Sequence, residues 1–85
     1  MTETKFVREM RRARAMARTT TEPNQAQYWE GYQRGLRRAR FGERFGTARE
    51  HAAWLALADE AVDMGRQARG RGYQEGLTFE EDEQH

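Results

Sequence analysis

A six-residue pattern occurs twice in this chain with one position changed, and its glycines restrict what either copy can fold into. Gly31-Tyr32-Gln33-Arg34-Gly35-Leu36 is echoed by Gly72-Tyr73-Gln74-Glu75-Gly76-Leu77, with Arg34 exchanged for Glu75. In each copy two glycines stand one helical turn apart. Because a glycine inside a helix costs roughly 1 kcal/mol relative to alanine, such a pair implies close approach of another backbone. Three readings fit the echo. One is a degenerate internal duplication, and another is two helices that pack closely through Gly31, Gly35, Gly72 and Gly76, with opposite charges facing. Coincidence in a glycine-rich chain is the third. There is no third copy, which excludes a solenoid.

The first copy lies in the stretch 27–45, which holds most of the aromatic residues and the densest arginines. At about 100° per residue, Tyr28, Trp29, Tyr32, Leu36 and Ala39 fall on one side of a helix, the side expected to be buried. Arg34, Arg37, Arg38, Phe41 and, beyond a turn, Arg44 and Phe45 lie opposite. That face is the candidate partner-binding patch. The alternative for Phe41 and Phe45 is that they plug the end of a helical hairpin core.

Eighty-five residues make one domain with a thin core, and self-association into a homodimer would enlarge it. No cysteine is present, so neither a disulfide framework nor a cysteine zinc site can contribute. The first ten residues lack the apolar run of a signal peptide, and no stretch is long enough to span a bilayer, so a cytoplasmic location away from membranes is expected. The net charge of +1 conceals segregation. Through Arg49 there are twelve Lys and Arg against five Glu, or +7; beyond it, three Arg against nine acids, or −6. Such a division suits head-to-tail complementarity, or a basic partner-binding face with an acidic solvating tail. Of the basic residues only Lys5 is a lysine. Guanidinium groups suit planar, bidentate contact with carboxylate or phosphate.

Along the chain, Phe6, Met10, Ala13 and Ala17 mark an apolar stripe in a first helix over 4–18. The alternative is that residues 1–18 form a basic arm that orders only on binding. Thr21 is the expected N-cap and Pro23 the first-turn residue of a second helix over 23–41, which ends where Gly42 can take a left-handed cap. Thr47 and Glu50 have capping-box spacing and open a third helix. Ala52, Ala53, Trp54, Leu55, Ala56, Leu57 and Ala58 are apolar almost all round, so this helix is expected to be the most buried segment, continuing to Gly65. Residues 65–72 read as a loop or weak helix leading into a short fourth helix at 73–77. Residues 1–79 form the single helical domain and 80–85 a disordered acidic tail. The fold class is all-α: a bundle of three helices plus a short C-terminal one.

Serine and cysteine are both absent, which removes the commonest nucleophiles. His51 is a lone imidazole apart from the terminal His85, and the glycines match no phosphate-binding fingerprint. The chain is therefore read as a non-enzyme with no cofactor and no metal. Two binding classes remain. In a protein-binding module, Arg34, Arg37, Arg38, Phe41, Arg44 and Phe45 form the hot-spot patch. In a nucleic-acid module, the arginines pair with phosphates while Phe41 or Phe45 stacks on unpaired bases. The near-zero net charge and acidic tail favour protein.

Two resemblances bear on this choice. The span YWEGYQRGLRRARFGERFGTAREHAAWLAL, with the later RGRGYQEGL, resembles a group of small proteins encoded by bacteriophages and prophages of proteobacteria. The resemblance implies host takeover, by binding and inhibiting a bacterial host protein such as a defence complex, a transcriptional regulator or a pilus motor. The hexad at 31–36, followed by Trp54, is also similar to the ribosome modulation factor family, which implies a ribosome- and RNA-binding helical hairpin. The chain departs from that family in lacking a Cys-Pro step and in carrying Ala56-Leu57 where a Gly-Trp pair is expected.

Overall fold

The computed structural model describes residues 1–60 and 62–80 and is all-α, with no strand among them. Four helices follow in order: α1 (Glu3–Thr19), α2 (Pro23–Phe41), α3 (Ala48–Glu60) and α4 (Met64–Leu77), with a 3-10 helix, Gly42–Phe45, between α2 and α3.

The repeated glycines position everything else. α2 and α4 share the most extensive interface in the molecule, and they approach until backbone meets backbone. A Cβ added at Gly31 would lie 1.9 Å from the carbonyl oxygen of Arg69, and one at Gly72 would lie 1.9 Å from that of Tyr28. One turn on, a Cβ at Gly35 would meet the Tyr73 oxygen at 2.2 Å, and one at Gly76 the Tyr32 oxygen at 2.3 Å. These contacts map onto one another when the two copies of the hexad are exchanged. The two boundaries that flank each inter-helix turn keep the same offset of 41 residues, from Thr19 to Glu60 and from Pro23 to Met64, whereas the outer ends of the helices do not. The two copies of the hexad thus pack on one another in a mutually equivalent way. The charges that distinguish the copies do not face each other: Arg34 pairs with Glu50 at 3.2 Å, whereas Glu75 accepts a hydrogen bond from the Tyr28 hydroxyl at 2.5 Å.

α1 docks on α2 through its apolar stripe. Met10 and Ala13 are buried against Trp29, Tyr32 and Leu36, with Phe6 and Ala17 at the margin. Thr2 caps its N-terminus by accepting from the Lys5 amide. A carboxylate is buried in the same contact. Glu9 accepts hydrogen bonds from Nε and a terminal nitrogen of Arg12, each at 2.8 Å, and from the Tyr32 hydroxyl. Burial raises the Glu9 pKa, but these donors outweigh it and leave the group below its ordinary value. A fully bonded carboxylate can be retained where an unpaired one would be expelled.

Several expectations are corrected. α3 is not the most buried segment: Trp54, Leu55, Ala56 and Leu57 are half-buried, and Ala52 and Ala53 are exposed. Its alanines present too little side chain to build a core, which lies instead between α1, α2 and α4. Nor does α3 continue to Gly65. It ends at Glu60, Val62 is 96% exposed, and Asp63 caps α4 by accepting from the amides of Gly65 and Arg66. Residues 65–72 are neither loop nor weak helix but most of a full α4, because tight packing on α2 and α3 compensates for its glycines. Thr21 does not cap α2; Glu22 occupies that position without a side-chain bond, and Pro23 opens the helix. Ala39, placed on the buried side, is exposed because α4 has already passed its end of α2. Glu80 belongs to the ordered chain, its carboxylate pairing with the Met1 amino group. Residues 81–85, the remainder of the expected tail, lie outside the described residues.

All three tyrosines of the chain lie in this framework. Burial raises the phenol pKa of each; Glu75 adds to the effect at Tyr28 and Glu9 at Tyr32. A folded-state pKa above the unfolded value of about 10 means that the protonated phenols favour the folded chain below that pH, a contribution lost as pH rises through the folded values. Tyrosinate absorbance should therefore stay flat until alkaline unfolding and then rise for all three rings together. A ring titrating near its free value in folded protein would show that its phenol is not held.

Candidate functional site

Five arginines are brought to one groove by three helices rather than by one face of α2. α1 contributes Arg14 and Arg18, α2 contributes Arg34 and Arg37, and α4 contributes Arg69. Together with Ala17, Glu30, Gln33 and Trp54 they line an open groove of about 480 Å³. Docking of α1 on the Trp29 side of α2 carries Arg14 and Arg18 towards Arg34 and Arg37, and the glycine contact at Gly31 sets Arg69 beside Glu30.

Trp54 forms one wall. Its ring stacks on Tyr73 with centroids 5.3 Å apart, and the guanidinium carbons of Arg34 and Arg69 lie 5.1 and 5.8 Å from it. Tyr73 is held in turn by a 2.7 Å hydrogen bond between its hydroxyl and Nδ1 of His51. The imidazole thus orients an aromatic stack. The tryptophan ring is shared among groups of this chain.

The charges in the groove are poorly balanced. Arg69 pairs with Glu30 at a loose 3.5 Å, and Arg34 with Glu50, which does not line the groove, at 3.2 Å. Among the described residues, Arg14, Arg18 and Arg37 have no carboxylate partner. Arg37 is half-buried, and desolvation together with the like charges of Arg14 and Arg34 lowers its pKa. Nε of Arg69 is buried without a hydrogen-bond acceptor. Five guanidinium groups around a hollow, one with an orphan donor, make a site complementary to anionic oxygens.

Of the residues singled out in the sequence, only Arg34 and Arg37 lie in this groove. Arg38 turns to another hollow with Met1, His51 and Leu77, and its aliphatic stem rests near Gly46. Phe41 meets Phe6 edge-on at 5.3 Å and Phe45 at 5.1 Å, so its ring closes the end of the α1–α2 contact. Phe45 and Arg44 are exposed on the 3-10 helix. Gly31, Gly35, Gly72 and Gly76 all serve helix packing, as their spacing implied. Sequence reasoning missed Arg14, Arg18, Arg69 and Trp54 as members of one site. Only the register of α1 and α4 against α2 brings them together, and no local spacing records it.

Among the described residues no group of three or more His, Cys, Asp or Glu could hold a metal ion, and no helix is long and apolar enough to cross a membrane. Comparison with protein-family models, with curated proteins and with solved structures returned no match to this chain.

Proposed function

We propose that this chain is a non-enzymatic binding protein that docks on a bacterial host protein and inhibits or modulates it stoichiometrically. The observation that carries this reading is the groove: five arginines and a tryptophan, residue types enriched at interface hot spots, gathered on a rigid helical framework. A preformed site loses little ordering entropy on binding. The sequence resemblance to phage- and prophage-encoded proteins supplies the host context, with a defence complex, a transcriptional regulator or a pilus motor as target classes.

The engagement of Trp54, the one aromatic ring of the groove, favours protein over nucleic acid at this site. Single-stranded RNA is gripped largely by bases stacking on aromatic faces. Here Trp54 is engaged by Tyr73 and two arginines, and Phe41 by Phe6, Phe45 and Arg40. Capture with tagged protein from bacterial lysate, with and without nuclease, tests the reading. One stoichiometric host protein that survives nuclease is the expected result. Ribosomal proteins or RNA that vanish with nuclease would replace it with the ribosome-binding reading.

A further inference from the structure

We infer that the groove takes an acidic peptide segment of the partner, whose clustered carboxylates displace Glu30 from Arg69 and neutralise Arg14 and Arg37. This inference rests on the protein-binding reading and specifies the chemistry of its site.

Three observations carry it. Arg14 and Arg37 face the same hollow with no acidic partner among the described residues, and Arg37 is half-desolvated beside like charges. An arrangement that raises its own electrostatic energy is relieved by an incoming anion. Second, Arg69 carries a buried Nε without an acceptor although its terminal nitrogen already reaches Glu30. A carboxylate seated deeper than Glu30 would satisfy both nitrogens in bidentate fashion, as a guanidinium fork prefers. Third, the Glu30–Arg69 pair is long and Glu30 is well exposed, at 60% of its side chain. A pair of that kind is worth little and is readily exchanged. Glu30 therefore acts as an internal stand-in for the partner's carboxylate.

The stand-in role gives an effect of unusual sign. Loss of a carboxylate from the wall should strengthen the binding of an acidic peptide, because a competitor for Arg69 is gone. The probe is a fluorescein-labelled oligo-glutamate peptide, followed by anisotropy at low salt with the full chain. Glu30→Gln should tighten its binding about twofold or more, and Arg14→Gln with Arg37→Gln should weaken it about tenfold or more. Arg8→Gln with Arg49→Gln, which removes two exposed arginines outside the groove, should change it by less than about twofold, separating groove binding from bulk charge attraction. Unchanged helicity by circular dichroism certifies each variant.

Equal losses in the groove and control variants would overturn the inference, as would weaker binding in Glu30→Gln. An oligo-uridylate that displaces the peptide at lower concentration and needs Arg14 and Arg37 would assign the groove to nucleic acid instead. Lysate capture separates the two levels. If the wild type captures a host protein and the Arg14→Gln/Arg37→Gln variant captures it equally, the groove assignment fails and the protein-binding reading stands. If peptide binding follows the groove variants but no host protein is captured, the assignment stands and the host-protein reading fails.

Discussion

Alanine at both Gly31 and Gly72 is expected to unfold the chain. By helix propensity alone each substitution should stabilise, by roughly 1 kcal/mol per site, since both positions are inside helices. Packing reverses the sign. Each new Cβ would stand 1.9 Å from a carbonyl oxygen of the opposite helix, Arg69 for Gly31 and Tyr28 for Gly72. Neither obstacle is a side chain that could rotate away, so α2 and α4 would have to separate by more than an ångström along their whole contact. Overpacking that a core absorbs by local shifts costs about 1–3 kcal/mol per site, and a clash with backbone leaves less room to shift. A domain of this size has a stability of only about 5 kcal/mol to lose. The double variant should thus show collapsed helicity and no cooperative melting transition, and either single variant a strongly lowered midpoint. Ala39→Gly, exposed near the end of α2, calibrates the propensity effect at about 1 kcal/mol. A raised midpoint in either glycine variant would show that the helices stand further apart than described.

That the repeated hexad governs the fold was legible in the sequence because a glycine pair inside a helix has few physical explanations. The α1 stripe of Phe6, Met10, Ala13 and Ala17 was equally legible, since local periodicity reports which side of a helix is covered. What covers it is not local information. α3 looked like the core because seven apolar residues follow one another, yet hydropathy counts atoms that could be buried, and alanine offers few. α4 looked weak because its glycines lower helix propensity, a cost that tertiary contact at Gly70, Gly72 and Gly76 overrides. Glu9 gave no sign of burial, because its partners Arg12 and Tyr32 sit on two helices and only one of them is a sequence neighbour. The candidate groove was half legible for the same reason. Arg34 and Arg37 share a face of α2, but Arg14, Arg18 and Arg69 join them only through helix packing, while Phe41 is drawn into contact with Phe6.

Leu36→Ala is expected to destabilise by about 3 kcal/mol or more, and Leu55→Ala by about 1 kcal/mol. The two leucines differ in burial and in how freely their surroundings can collapse. Leu36 is fully buried among Met10, Trp29 and Tyr32. Its neighbours are also pinned, since Gly35 meets the Tyr73 carbonyl and Gly76 approaches the Leu36 amide, which holds α2 and α4 at a spacing that cannot shrink. A cavity opened there stays open, so the loss includes both the transfer of the leucine and the void it leaves. Leu55 is half-buried on α3, and its helix touches the rest mainly through α4. Truncation there exposes a little more surface and lets α3 settle inward. Urea unfolding of both variants, with unchanged slopes, measures the difference directly. Equal losses would place the core on α3, as the run of apolar residues suggests when read alone. The α2–α4 glycine contact would then be a consequence of the packing rather than its framework. A loss concentrated at Leu36 makes that contact the framework on which both α1 and the arginine groove depend.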